Sequence, residues 1–300
     1  MNIESGIYYD VPDAEYRAWD ALNYSSINNL IRYSPMHYFC FLNNPQPSTP
    51  EMVFGSAYHS DVLLDSAVAI FPGKTRNGKA WEAFRAEHEG ETIITESQDE
   101  QIRAMRKALE ANADAASLLY KSTAREVSIV GEIGGELVKC RLDLVAPEIE
   151  WIGDLKTCAC ASPSVWQRTH LYPYGYHRQA GLYSQLAVQA DLFPANSLTW
   201  AWILQEKSEP YASSVCIADQ YDLDLGYGEI IRAIGIIQEC RAKGEWPGYA
   251  DGVSKVSLPQ WARKEIISSV ESWLDNLENE EETEDESDNS QEREQPRSPA

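Results

Sequence analysis

No run of about 18 apolar residues occurs in this 300-residue sequence, so no membrane-crossing helix is expected. The first ten residues, MNIESGIYYD, lack the basic flank and apolar centre of a signal peptide. Cysteine is sparse: six residues do not make a disulfide framework, and a reducing, cytoplasmic setting is expected. Positive charge is scarcest of all. Against 47 Asp and Glu stand 25 Lys and Arg, a formal net charge of −22. A broad basic face for nucleic acid is thereby excluded. Part of the deficit is local, since Asp275 to Ala300 carries eleven acidic and two basic residues, net −9, leaving −13 elsewhere. Any nucleic-acid contact must be a local basic patch, or a metal-neutralised channel, on an acidic body.

What is present suffices for a sizeable core: 43% of residues are hydrophobic and nine are tryptophan. Residues 1–20 read as extended or irregular. Asn23 to Asn43 reads as two short helices, with Ser25 capping the first and Pro35 in the first turn of the second. Phe54 to Leu64 reads as a helix carrying His59. Phe71 to Lys79 is a loop whose Lys74, Arg76 and Lys79 have no acidic neighbour, which makes them the candidate phosphate contact. Helices follow over Lys79–Glu89 and, behind a Ser97-x-x-Glu100 capping box, to about Tyr120. Strands are expected near 124–133, 136–145 and 150–156, then a polar and aromatic connection over Ser162–Pro173 and a helix over Tyr176–Ala190. Two more strands, 197–206 and 211–218, precede helices over Tyr221–Lys243 and Trp261–Leu277. The acidic residues 278–300 read as a disordered tail. This order predicts an α/β domain with a mixed sheet flanked by helices. Its parts are a helical segment, 1–120, a core, 121–245, and a C-terminal helix, 259–277.

The chemistry concentrates in Gly135–Lys156, GELVKCRLDLVAPEIEWIGDLK. Side chains two apart on a strand share a face, so Asp154 and Lys156 lie together with Leu155 turned away. On the preceding run Arg141, Asp143 and Val145 share one face, and Leu142 and Leu144 the other. An antiparallel hairpin brings Asp143 close to Asp154. Two such carboxylates repel unless a cation lies between them, and oxygen ligands of this kind suit Mg²⁺. A neighbouring lysine can orient a water or stabilise charge on a phosphate. An exposed hairpin with scattered charges is the plain alternative.

Five elements in order resemble the RecB-like branch of the PD-(D/E)xK nuclease superfamily: G-S-A-x-H ending at His59, a strand bearing Glu126, R-L-D ending at Asp143, D-L-K at Asp154–Lys156, and Q-x-x-x-Y at Gln179–Tyr183. Over roughly residues 8–245 the likeness is to the exonuclease VIII (RecE-type) nuclease domain of phages and prophages. The resemblance implies a restriction-endonuclease-like fold in which His59, Asp143, Asp154 and the carbonyl of Leu155 hold Mg²⁺ or Mn²⁺. It implies that Lys156 is the catalytic lysine, that Glu126 assists a second metal or its waters, and that Gln179 and Tyr183 contact the DNA or the catalytic residues. Proline is not fixed before the first aspartate in this family, and Leu142 occupies that place here. The resemblance further implies a 5′-to-3′ exonuclease on linear double-stranded DNA ends, a homo-oligomeric ring and a RecT-type annealing partner. A RecB-like nuclease of other specificity and a catalytically idle acidic binding protein are the competing expectations. Tyr176 and His177 are assigned to packing or solvent. The cysteines lack the spacing of an iron–sulfur or zinc site and are assigned to packing.

Overall fold

The computed structural model describes residues 3–44, 47–64, 68–73, 75–194, 197–249 and 252–291, with side chains described as far as Asp275. The chain divides into two units, Met1–Tyr249 and Ala250–Ala300.

The first unit begins with β1 (Gly6–Tyr8), α1 (Asp13–Ala18), β2 (Leu22–Asn23), α2 (Tyr24–Arg32) and α3 (Pro35–Asn43). Helix α4 (Pro50–His59) continues into a π-helical turn, Ser60–Leu64. Then come β3 (Ala69–Phe71), α5 (Gly78–Glu87), β4 (Ile93–Thr95), α6 (Glu96–Ala111) and α7 (Ala113–Lys121). The central strands are β5 (Ala124–Ile133), β6 (Glu136–Ala146) and β7 (Trp151–Cys158). Short helices α8 (Pro163–Trp166) and α9 (Tyr172–Tyr174) flank a second π-helical turn, and α10 (Tyr176–Gln189), β8 (Thr199–Glu206), β9 (Ser213–Ile217) and α11 (Gln220–Lys243) complete the unit.

The main sheet runs β1-β5-β6-β7-β8-β9, with β2 added in parallel to the first half of β6. Strands β5, β6 and β7 form an antiparallel meander, β8 joins β7 in parallel, and β9 returns antiparallel. A parallel neighbour requires a crossover, and α10 lies within it. The fold is thus the mixed α/β sheet flanked by helices that the element order predicts.

Both faces of the sheet are covered. In β8, Trp200, Trp202 and Leu204 enter the core shared with α2, α10 and α11, while Ala201 and Ile203 enter the core shared with α4, α6 and α7. Helices α10 and α11 approach so closely that a Cβ on Gly226 would lie 2.6 Å from the His177 carbonyl oxygen. Buried Lys139 of β6 donates to the carbonyls of Tyr16, Arg17 and Trp19, which fastens the end of α1 to the sheet. Cys140 and Cys158 pack in the first core.

Local signals shift at several helix starts. Asn23, not Ser25, caps α2 by accepting from the Ser26 amide, because Ser25 is already helical. The capping box of α6 is Thr95–Gln98 rather than Ser97–Glu100, since Thr95 is the extended residue that leaves β4. The stretch expected to be extended or irregular at residues 1–20 contains, besides the extended β1, the helix α1. Strand β1 is too short to read locally and forms by pairing Gly6–Tyr8 with Val130–Ser128. In the second unit α12 spans Gln260–Gln291, past the expected end near Leu277. The stretch from 278 has no Gly or Pro before Pro296 to stop a helix. Residues 292–300 of the expected disordered tail lie outside the described residues.

Candidate active site

The pairing of β6 with β7 is short. It joins Leu144 to Gly153, Val145 to Ile152 and Ala146 to Trp151, and then the strands part. At the fork, the main-chain groups of Leu155 are met by side chains. Its N–H donates to Asp143 Oδ2 at 2.8 Å, and its carbonyl lies 2.8 Å from His59 Nε2. A carbonyl can only accept, so Nε2 carries the proton. In the neutral ring, Nδ1 is then an acceptor, and it stands 3.7 Å from Asp143 Oδ2.

The fork also interrupts β5. Arg125 pairs with Leu144 and Val127 with Leu142, so Glu126 stands level with Asp143 but drops out of the ladder. Glu126 has φ +50°, a left-handed backbone that breaks the pleat. Strict alternation along β6 fails at the same level. Leu142 and Val145 lie in the core with α10, whereas Leu144 and Ala146 lie in the core with α4. The expectation that Leu142 and Leu144 share a face is therefore corrected, because the paired irregularity at Glu126 and Asp143 reverses the strand faces. Glu126, Asp143 and Asp154 consequently stand side by side on three neighbouring strands.

Burial, and next the negative charge of Asp143, push the Glu126 carboxyl up to about 7. Arg141 offsets part of this from 3.9 Å. That guanidinium is itself anchored by Ser128 Oγ, the Val11 carbonyl and the ring of Tyr16. Asp154 is pushed up to about 6 by burial, against the opposing charge of Lys156. The Lys156 Nζ lies 2.8 Å from Asp154 Oδ1 and 2.7 Å from Oδ2. Burial alone would lower the lysine pKa, but the carboxylates of Asp154 and Asp143 outweigh it and raise it, so the ammonium stays charged. Tyr176 supplies what sequence reasoning missed: its ring stands 5.1 Å from Lys156 Nζ, on the neighbouring helix. Only its place two residues ahead of Arg178 on an acid-free stretch hints at this in the sequence.

The donor set fits a divalent cation. Ligand atoms of His59, Glu126 and Asp143 all lie within 4.8 Å of one another, the metal-compatible group among the described residues. Two carboxyl groups this close to one another favour a cation between them. Buried Asp154 Oδ2 is met by the Lys156 ammonium at 2.7 Å. Hard oxygen donors with one imidazole suit Mg²⁺ or Mn²⁺. Glu126 thus joins His59 and Asp143, while Asp154 is engaged by Lys156 and the Leu155 carbonyl by His59.

Gln179 and Tyr183 share a face of α10. The Tyr183 ring packs edge-on against Tyr24 and Trp200, and burial holds its hydroxyl protonated well above the usual range. The pair therefore forms part of the wall behind Asp154. Of the basic loop, Lys74 lies outside the described residues and Lys79 is exposed at the start of α5. Arg76 is engaged within the fold, donating to the Ile93 carbonyl and Gln98 and lying over Trp81.

Over residues 24–258 the sequence matches the family described as PDDEXK-like domain of unknown function (DUF3799). No curated protein sequence matches it. Among solved structures, the fold is similar to that of a "Putative exonuclease" from Eubacterium rectale, with a TM-score of 0.60 over 84% of this chain and 97% of the other at 13% identity. A second structure, of SSO0001, gives a TM-score of 0.29 at 12% identity over 65% and 88% of the two chains, too low to carry an argument. Family match, sheet order and clustered acidic residues agree: the chain belongs to this PDDEXK-like family and has the nuclease-like fold of the PD-(D/E)xK superfamily.

Proposed function

We propose that the protein is a metal-dependent deoxyribonuclease that hydrolyses phosphodiester bonds at the fork between β6 and β7. The observation that carries this reading is the row Glu126, Asp143 and Asp154, with His59 closing one side and the Lys156 ammonium the other. His59, Glu126 and Asp143 would hold Mg²⁺ or Mn²⁺, with Asp154 released to it as Lys156 turns toward substrate. When bound, the cation would neutralise the carboxylates, polarise a phosphate oxygen and lower the pKa of a water.

The chain's own residues do the rest. The Lys156 ammonium orients an attacking water and stabilises charge building on phosphorus, in a site where burial strengthens the interaction. Tyr176 limits where that ammonium can swing. Asp143 and His59 keep the fork open by satisfying Leu155, so a phosphate can reach the carboxylates. Gln179 and Tyr183 hold α10 against the sheet.

The finer reading is a 5′-to-3′ exonuclease on linear duplex ends that leaves 3′ single strands, active as a ring beside a RecT-type annealing protein in the cytoplasm of a phage-bearing host. Its support is the resemblance of the five ordered motifs. The name of the Eubacterium rectale structure points the same way at the level of an exonuclease.

The deciding experiment incubates labelled linear duplex, closed circular and single-stranded DNA with Mg²⁺, alongside Lys156→Ala and an EDTA control. Loss of linear duplex from its 5′ ends, abolished by both controls, is expected. Degradation that survives in Lys156→Ala sinks the mechanism. Cleavage of closed circles redirects the specificity to an endonuclease.

A further inference from the structure

Two stretches of this acidic chain contain no Asp or Glu: residues 21–50 and residues 155–190. They are far apart in sequence, and the fold packs them together. The Tyr24 hydroxyl of α2 lies 2.9 Å from the Tyr174 carbonyl and 2.7 Å from the Gly175 carbonyl, and Asn28 donates to the Tyr174 carbonyl at 3.2 Å. Gly175 makes this docking possible. Its φ is +75°, and a Cβ there would lie 2.8 Å from the Tyr24 hydroxyl oxygen and 2.9 Å from Asn28 Oδ1.

The result is a line of rings leading away from the catalytic ammonium. Lys156 Nζ is 5.1 Å from the Tyr176 ring centroid. Tyr176 stacks with Tyr174 at 5.9 Å between ring centroids, 25° from parallel. The Arg32 guanidinium lies 5.7 Å from the Tyr174 ring and 5.5 Å from the Tyr33 ring, bridging the two. Tyr174 and Tyr33 are 47% and 46% exposed as residues, with His170 5.5 Å from the Tyr174 ring and His37 stacked on Tyr33 at 5.3 Å. Exposed arginine between exposed tyrosines, on the acid-free part of a chain of net charge −22, matches flat, aromatic and anionic ligands.

We propose that this ledge, Tyr176–Tyr174–Arg32–Tyr33, binds an unpaired nucleic-acid strand by base stacking and leads it to or from Lys156. The inference rests on the nuclease reading for the direction of the path. The stacking itself is independent of turnover. Bases stack on the exposed rings, the Arg32 guanidinium meets the backbone phosphates, and duplex DNA, whose bases are already stacked internally, gains nothing from the rings. A protein partner would be the other occupant of an aromatic surface, but the strip's position against the catalytic lysine and the lack of acidic residues in its two segments favour a polyanion, the nearby Glu229 being paired with His177 and Arg178.

The test measures fluorescence anisotropy of the full-length chain in EDTA, which prevents cleavage. The probes are a labelled oligodeoxyadenylate, an abasic strand of equal length and the matching duplex. The expected result is preference for the base-bearing strand over the abasic one. The Tyr33→Ala/Tyr174→Ala variant should lose that preference, with roughly 5- to 150-fold weaker binding for each base stack removed. The Tyr33→Phe/Tyr174→Phe variant should retain it, because the rings remain. Equal affinity for base-bearing and abasic strands, tighter binding of duplex, absence of single-strand binding, or equal loss in the Phe and Ala variants overturns the proposal. Cleavage by the parent in Mg²⁺, measured in parallel with Lys156→Ala, judges the nuclease reading separately. The ledge can fail while cleavage stands, and stacking can hold while cleavage fails.

Discussion

The carboxylate of Asp143 accepts the main-chain N–H of Leu155 at 2.8 Å, taking a place that a β6 carbonyl would fill in an unbroken ladder. One residue thus serves both the fold and the site. Asp143→Asn keeps an acceptor oxygen but removes a charge that faces Glu126 and His59. The metal-free variant is therefore expected to unfold at the same or a higher denaturant concentration than the parent, while cleavage falls at least 100-fold. Asp143→Ala loses the acceptor as well and should cost about 1.5–3 kcal/mol, the usual range for a hydrogen bond to a charged group. Equilibrium unfolding in urea and turnover on linear duplex check the two effects.

Among the described residues, Lys156 is the ammonium in direct contact with the acidic row. Lys156→Ala should lower turnover by about 10²- to 10³-fold, the usual effect of removing a preorganised donor to a developing oxyanion. It should not weaken Mn²⁺ binding, because Asp154 is freed. Isothermal titration with Mn²⁺ separates the roles: parallel loss of affinity and turnover would mean that the lysine builds the site rather than acting in it.

Glu126 and Asp154 set a pH dependence in the metal-free protein. Their folded values are raised to about 7 and about 6, from ordinary values of 4.5 and 3.8. The folded chain therefore holds protons that the unfolded chain has released. Between about pH 4 and pH 7 unfolding releases protons, so stability is greatest at the lower end and declines as pH rises. Glu229 is held low by Arg178 and His177, and its opposite contribution lies at lower pH. Melting scans in EDTA should show the decline, Glu126→Gln should flatten it, and Mn²⁺ should reverse it at pH 7.

The closeness of α10 and α11 makes Gly226 a structural pivot behind the site. Gly226→Ala places a methyl group against the His177 carbonyl, on the turn before Gln179 and Tyr183. Backbone cannot rotate aside as a side chain can. Destabilisation of about 1–3 kcal/mol is expected by calorimetry or urea unfolding. Gly228→Ala, where a Cβ meets nothing within 4 Å, is the control and should be neutral or slightly stabilising.

Strands β5, β6 and β7, helix α10 and helix α11 fall within a residue or two of where alternation, composition and the Gly244 stop place them. These are local properties: side-chain periodicity and turn chemistry act over a few residues and need no partner. The candidate ligands were named by the resemblance of five ordered motifs rather than by periodicity. Tertiary structure alone decided how they meet. His59 reaches the Leu155 carbonyl across 96 residues of sequence. Glu126 and Asp143 come level only because β5 pairs with β6 in one register, and the left-handed Glu126 then turns alternation off where the metal-compatible group forms. Arg76, free in the sequence, spends its guanidinium on Ile93 and Gln98, while Tyr176 is drawn to Lys156. Each outcome depends on which surfaces pack and which strands pair, quantities set by the whole chain burying its apolar faces at once.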